Sequence, residues 1–539
     1  MKKIMTIMTA AMIGAAASAQ ETYDNAQLAN KDLNGTARYV GMGGAMEALG
    51  ADISTIGTNP AGIGMFRRSV ANTSFGFVSQ SDAQSVNDVN KTNMSFDQIG
   101  FVYAMRSGRK SFVNFSFNYT KSKNFDQILA ASAALKGASQ NKLSSMKNIN
   151  DVYRLNDNKG SYTSDDVTCN QLDYLYSNTL FGDENVGKVK DGKLYWASDG
   201  EEDVPAYVEA DGYKFGRGNT GYIGQYDFNI SGNSNDRFYW GVTFGLYDVH
   251  YNSETSYTEN IVDNGKGIGT LTVNDSRKIT GNGFDVKAGV IFRPIEMSPF
   301  RIGLYVHTPT WYDLKTQNTT KLTNGLANNL GAHDYGINGE SYDFKFYTPW
   351  RFGVSLGHTV GNYLAFGATY EYADYATTDI RVNDGGTVDY WGNYYDESYR
   401  DEAMKSSIKA SLKGVSTLKL GVEFKPERNF AVRLGYNYVS PMYQKTGYKD
   451  GTLASYGTFY SSTTDYTNWK DTHRITAGVG YATGNWNFDL AYQYSQTNGD
   501  FYPFMSNIDN ANPSYDNVAD AVNVSNKRNQ LLLTVGYKF

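Results

Sequence analysis

Apolar and polar residues alternate with a period of two in fourteen stretches of this chain. In one, Phe238, Trp240, Val242, Phe244 and Leu246 alternate with Tyr239, Gly241, Thr243 and Gly245. In another, Phe430, Val432, Leu434, Tyr436 and Tyr438 alternate with Ala431, Arg433, Gly435, Asn437 and Val439. That period belongs to β-strands with one apolar face. The predicted strands lie near 69–80, 94–106, 111–123, 219–231, 237–252, 281–293 and 299–309. Seven more lie near 349–357, 362–376, 412–424, 430–442, 470–482, 486–497 and 528–539. Strands of about ten residues suit a tilted bilayer crossing.

The gaps alternate too. Short ones fall at Ser107–Lys110, Gly232–Asp236, Pro294–Ser298, His358–Gly361, Lys425–Asn429 and Thr483–Asn485. Long ones, at 81–93, 124–218, 253–280, 310–348, 377–411, 443–469 and 498–527, separate them. Tight turns on one side and long loops on the other are the rhythm of an outer-membrane barrel. The fold class read here is all-β, a 14-stranded antiparallel transmembrane β-barrel with long extracellular loops. An even strand count leaves both chain ends on the turn side. The last strand, Leu531–Phe539, would leave an open edge unless paired, and its expected partner is the strand near Val70–Gln80. Within the 124–218 loop, Ile128, Ala131 and Leu135 fit a helical spacing, as do Leu143, Met146, Ile149 and Tyr153.

Lys2 and Lys3, an apolar run from Ile4 to Ala16 and Ala17-Ser-Ala19 together read as a secretory signal over 1–19, cut before Gln20. No later stretch is long and apolar enough for a spanning helix. A mean hydropathy of −0.49 is compatible with a barrel, because only one face of each strand is apolar. The chain carries 43 Tyr, 28 Phe and 55 Gly but only 10 Pro, which favours strands, membrane interfaces and tight turns. A net charge of −6 argues against nucleic acid. Cys169 is the one cysteine and the five histidines are scattered, so neither a disulfide nor a metal site is expected, and no cofactor. Charges fall on the inner face of the strands at Arg106, Asp227, Asp285, Lys287, Arg301, Glu371, Lys419, Glu423, Arg433 and Asp489, where mutual pairing is expected.

Residues 20–68 precede the first strand and do not alternate. They contain Gly41-Met-Gly-Gly-Ala45, Asp52-Ile-Ser-Thr and Asn59-Pro60-Ala61-Gly62, a Gly-rich segment fit for close backbone contact and a sharp turn. Ala45–Leu49 is read as a helical turn or two. Fourteen strands enclose more room than side chains fill, so this segment is expected to plug the lumen. It resembles the amino-terminal hatch of the FadL/TodX family of outer-membrane hydrophobic-compound transporters. Further echoes are Leu304-Tyr-Val-His-Thr-Pro-Thr310 and Tyr347-Thr-Pro-Trp-Arg-Phe352.

The resemblance implies passive transport of long-chain fatty acids or similar hydrophobic molecules. A solute would be caught by the outer loops, passed to a pocket beside the plug and released sideways through the wall into the membrane. Candidate contacts are Met42, Met46, Leu49, Ile53, Ile56, Met65 and Phe66 in the hatch, with Trp311 and Leu314 in the fourth loop. The third strand, Ser111–Tyr119, has no Gly or Pro to mark a kink, so its sequence locates no lateral gap. Expected partners are hydrophobic small molecules, outer-membrane lipid and, through Phe539, the barrel-assembly machinery; a monomer is expected. The alternative reading is a surface receptor or adhesin, haem capture included. Gly353-Val-Ser-Leu-Gly357 followed by His358 mimics a nucleophile elbow, and Gly265-Lys-Gly-Ile-Gly269 a phosphate loop. Neither has the strand-to-helix context its chemistry needs, and no enzyme is expected.

Overall fold

The computed structural model describes residues 22–539 apart from 82, 84–88, 159–160, 183–184, 198–202, 328–334, 384–385, 393, 396, 509–512 and 514–515. The export signal expected over 1–19 lies outside the described residues.

Fourteen antiparallel strands close into a barrel. They are β1 (Val70–Ser81), β2 (Thr92–Arg106), β3 (Phe112–Asn124), β4 (Glu209–Ser234), β5 (Phe238–Asp263), β6 (Lys266–Phe292) and β7 (Arg301–His307). The second half comprises β8 (Arg351–Val360), β9 (Leu364–Asp374), β10 (Gly414–Glu427), β11 (Phe430–Val439), β12 (Tyr466–Thr483), β13 (Trp486–Tyr502) and β14 (Val522–Lys538). All fourteen predicted strands are found in the wall. β14 pairs with β1 from Val70↔Lys538 to Ser81↔Lys527, and the Phe539 amide donates to Ser69 O at 2.9 Å. Closure leaves neither β1 nor β14 as a free edge, which hydrocarbon demands because an unpaired backbone group there costs several kcal/mol.

The alternation resolves into two faces. Each strand carries at least one exposed large apolar side chain outside, among them Phe101, Phe244, Leu304, Phe352, Leu434 and Ile475. Ser74, Asn114, Thr243 and Lys287 point inward and are buried. Aromatic clusters bound this apolar band. Tyr537 packs edge-on against Trp486 and Phe539 at the short-turn end, and Phe284 meets Trp311 at 4.9 Å toward the long loops. An apolar ring with aromatic margins is a lipid-facing surface. The protein is an outer-membrane β-barrel. Among the described residues no helix is long and apolar enough to cross a membrane.

Five expectations need correction. The supposed loop 253–280 is a continuation of β5 and β6, which run to a two-residue turn at Asn264-Gly265, both with positive φ. Asn-Gly is the sequence that such a hairpin turn favours. Ile128, Ala131 and Leu135 do not make a helix. Residues Gln127–Ala134 form a strand on the overshooting edge of β4, whose free backbone groups draw in a partner. The second pattern does form a helix, Gln140–Ile149, and a further helix, Gln171–Leu180, packs with it into an apolar core above the barrel. Thr22–Ala29 is also helical and lies in the long-loop half, with Tyr23 stacked on Tyr443 at 5.1 Å. The described chain therefore starts at the opposite end of the barrel from Phe539. Arg106 is exposed and bonds Gly108 O and Arg109 O in the turn, so it takes no part in the inner-face pairing.

The loop 310–348 also continues the wall, as strands Trp311–Asn324 and Tyr335–Tyr347. Each bends where a proline removes a ladder donor, at Thr308-Pro309-Thr310 and Thr348-Pro349-Trp350. Thr348 N donates to Thr310 O at 3.1 Å, so the two Thr-Pro motifs lie side by side.

Candidate functional site

Residues 36–66 touch the inward side of all fourteen strands. Local rules shape this segment first. Thr36 caps the short helix Ala37–Gly41, and Asp52 and Asn59 cap the 3₁₀ turns Ile53–Gly57 and Pro60–Met65. Pro60 occupies the first turn of its helix, where no donor is missed. Between Ala45 and Gly50 there is one helical turn, closed by Gly50 N on Met46 O at 2.8 Å.

The wall then receives the segment through missing side chains. Gly357, Gly367, Gly421 and Gly435 are register partners across β8, β9, β10 and β11. A Cβ on Gly367 would sit 1.8 Å from Ala45 O, and one on Gly421 2.3 Å from Met42 O. Gly43 has a φ of +63°, and a Cβ there would meet Tyr436 N at 2.8 Å. Hydrogen bonds complete the circuit. Thr534 accepts from Ala37 N at 2.7 Å, Asn114 donates to Ile63 O at 2.7 Å, and Thr243 donates to Ile56 O at 3.0 Å.

Most of the inner charges pair with one another, and Arg38 and Glu47 of the lumen segment join them. Lys287 lies 2.9 Å from Asp227 and 2.6 Å from Asp285. Arg433 bridges Glu423 and Asp489 at 2.7 and 2.6 Å. Glu423 also takes Arg38 at 3.0 Å, and Lys419 takes Glu47 at 2.7 Å. Arg351 holds Glu371 at 2.6 Å, and Arg301 donates to Leu49 O at 2.9 Å. Two charged side chains inside a Gly-rich apolar segment were the signal for Arg38 and Glu47.

Above this segment lie two adjoining cavities of about 160 and 110 Å³. Both are bordered by Asp32, Leu33, Asn34 and Arg474. The larger reaches Asp97, Lys123 and Asn124, where the wall is irregular. β2 and β3 pair only from Arg106↔Phe112 up to Gln98↔Thr120. Just above, the ladder between β1 and β2 skips Asp97, and the ladder between β3 and β4 skips Ser122. Two bulges at one level thus part β2 from β3 without Gly or Pro. The chain near residue 33 crosses behind the parting: Asp32 N donates to Ser122 O, and Asn34 Nδ2 to Lys121 O and Asp97 Oδ1, each at 2.9 Å. Outside, Phe96 and Tyr119 stack across it with centroids 5.8 Å apart.

The candidate contact residues occupy several places. Met42, Met46 and Leu49 form one buried cluster with Leu33 and Tyr39. Ile53, Ile56 and Phe66 form another with Val70 and Val102, and Met65 packs on Tyr239 and Ile291. Leu314 is buried in the upper core, whereas Trp311 meets Phe284 on the outer face. None of them borders the two cavities. Asn59, Pro60 and Ala61 come together as a cap, with Asn59 Nδ2 donating to Glu47 O at 3.0 Å. Ser355 faces inward and donates to Gly303 O, while His358 lies on the opposite, outer face beside Leu356 and Phe366. His307 bonds Thr58 O inside, His473 bonds Tyr436 outside and His250 bonds Asp248, so these do not converge; His333 lies outside the described residues. Among the described residues no three His, Cys, Asp or Glu side chains group as metal ligands.

No protein-family model and no curated protein matches the chain. Solved structures do. The Ralstonia pickettii toluene transporter TbuX is 14% identical, over 94% of this chain and 99% of that one, with a TM-score of 0.45. Its similarity is to FadL- and TodX-type transporters. A Pseudomonas aeruginosa FadL homologue is 12% identical, over 95% and 99%, with a TM-score of 0.47. The Pseudomonas putida toluene transporter TodX is 10% identical, over 94% and 99%, with a TM-score of 0.45.

Proposed function

We propose that this protein carries hydrophobic molecules passively across the outer membrane, by a path that leaves through the side of the wall. Residues 20–68 act as the plug. Contact with all fourteen strands, glycines that seat its backbone and ion pairs at Arg38 and Glu47 support that role. A watery pore would pass a greasy solute poorly, whereas a side exit delivers it to lipid, where it partitions favourably.

The observation that carries this reading is the parting of β2 from β3 at Asp97 and Ser122, directly beside the larger cavity. The helices Gln140–Ile149 and Gln171–Leu180 and the core around them roof the long-loop end, and first capture of the solute takes place there. Plug side chains such as Met42, Met46 and Leu49 give way when it passes. Phe539 as the mark read by the barrel-assembly machinery and a monomeric state belong to the same proposal.

Uptake of radiolabelled oleate and toluene by cells with and without the gene tests it. The gene should raise the uptake rate of at least one of them several-fold. Equal rates for both solutes would end the reading.

A further inference from the structure

The larger cavity is not lined as an alkane site would be. Leu33, Val78, Phe125, Val415, Met442 and Trp469 are among the apolar residues of the lining, and amides, hydroxyls and charged groups share it with them. We infer that the solute carried here is an amphiphile whose head bears several hydroxyl groups, as an alkyl glycoside does. This rests on the transport path proposed above and names the class of molecule that uses it.

Asp97, on the wall of this cavity, is 1% exposed. Its Oδ1 accepts from Asn34 Nδ2 and Ser95 Oγ, each at 2.9 Å. Asn34 thereby turns its own oxygen to Gln530. Gln530 answers with its nitrogen, at 3.2 Å to Asn34 Oδ1, and turns its own oxygen to Gln493. Gln493 Nε2 donates there at 3.3 Å. One carboxylate thus fixes the direction of three amides, and the relay ends on Gln493 Oε1. That oxygen is buried with no partner, and so are Asp97 Oδ2 and Asn526 Oδ1 on the same cavity wall. Gln493 as a whole is 7% exposed.

A buried acceptor without a donor is costly, because it has given up its hydrogen bonds to water for nothing in return. Three of them around one cavity call for a ligand that brings donors. An alkane or aromatic hydrocarbon brings none, and a carboxylate brings acceptors. The basic groups nearby are already engaged: Lys123 lies 3.2 Å and Arg528 3.7 Å from Asp32, Lys470 lies 2.9 Å from Asp500, and Arg474 donates to Asn437 at 2.8 Å. An ammonium head would bring donors too, but it has no acceptor for the amide N–H groups on the same lining. Hydroxyl groups fit both sides, donating to the three free oxygens and accepting from the amides. A cavity of about 160 Å³ is the size that holds one ring.

Calorimetric titration of the full-length protein in nanodiscs, below micellar concentrations, tests this with three probes of one chain length: octyl glucoside, octanoate and octylammonium. Octyl glucoside should bind at least tenfold more tightly than the other two. Gln493→Met should weaken it about fivefold or more and leave octanoate within twofold. Asn526→Leu repeats the comparison should the first variant not fold, with heat-modifiable gel mobility reporting the barrel. Octanoate or the ammonium binding as tightly as the glucoside, or a variant weakening all probes alike, would overturn the hydroxyl assignment and leave hydrophobic transport standing. No binding by any probe, together with unchanged oleate and toluene uptake, would remove both.

Discussion

Lys419 Nζ, on wall strand β10, donates to Glu47 Oε1 of the lumen segment at 2.7 Å, with both side chains almost wholly buried. Tyr39 and Thr369 also donate to the Glu47 carboxylate, at 3.1 and 2.8 Å. The contact is a bolt between the lumen segment and the wall. Lys419→Met leaves Glu47 buried without its counter-charge, a change worth about 3–5 kcal/mol. Hydrogen exchange over residues 42–50 should quicken by more than tenfold while the strands stay protected. Unchanged exchange there would mean the bolt holds nothing.

The glycine row gives a second prediction, about shape. Gly367→Ala places a methyl 1.8 Å from Ala45 O, so wall or hatch must shift at a cost of about 1–3 kcal/mol. Gly267→Ala, at the exposed hairpin tip, meets nothing within 4 Å. Folded yield in urea-titrated refolding should fall for the first and stay level for the second. Equal behaviour would show that the hatch does not press on the wall.

Lys287 is flanked by Asp227 and Asp285 and is fully buried, so it neutralises two carboxylates at once. Lys287→Met should destabilise the barrel by about 3–5 kcal/mol. The double variant Asp227→Asn/Lys287→Met should recover part of that loss. Unfolding midpoints in guanidinium measure both, and a single variant as stable as the parent would refute the triad.

How much of this was legible in the sequence depends on which solvent each residue meets. Along β5, Phe244 and Leu246 must face lipid and Thr243 must not, so the membrane itself writes the period of two. Above the membrane that pressure ends. Residues 253–280 continue as strands whose apolar side chains, Tyr257, Ile261, Leu271 and Val273 among them, turn inward to the upper core, and only Asn264-Gly265 announced their turn. Ile128, Ala131 and Leu135 fit a helix by spacing, yet the bare edge of β4 decided their structure. The parting of β2 from β3 was invisible because bulges at Asp97 and Ser122, unlike Gly or Pro, leave no compositional mark. The cavity was equally hidden, since Asn34, Asp97, Gln493 and Gln530 meet only when β14 closes on β1.

Cys169 reports on the cap above the barrel. It is buried, and burial pushes its thiol well above the usual range, so little thiolate forms near neutral pH. Maleimide should label it at least a hundredfold more slowly in the folded protein than after denaturation, at pH 7 and at pH 8 alike. Rapid labelling of the folded protein would show that the helices Gln140–Ile149 and Gln171–Leu180 open on their own.

The central claim is that solutes leave between β2 and β3. Ser95 and Lys121 face each other across the unpaired stretch, with Lys121 Nζ 2.8 Å from Ser95 Oγ. In Ser95→Cys/Lys121→Cys, a short bis-methanethiosulfonate reagent can tie the strands together, and buried Cys169 does not compete. Uptake of radiolabelled oleate and toluene is then compared in tied, reduced and gene-deleted cells. Uptake in tied cells should drop to the gene-deleted level and return on reduction. Full uptake with the strands tied would contradict a lateral exit at this place.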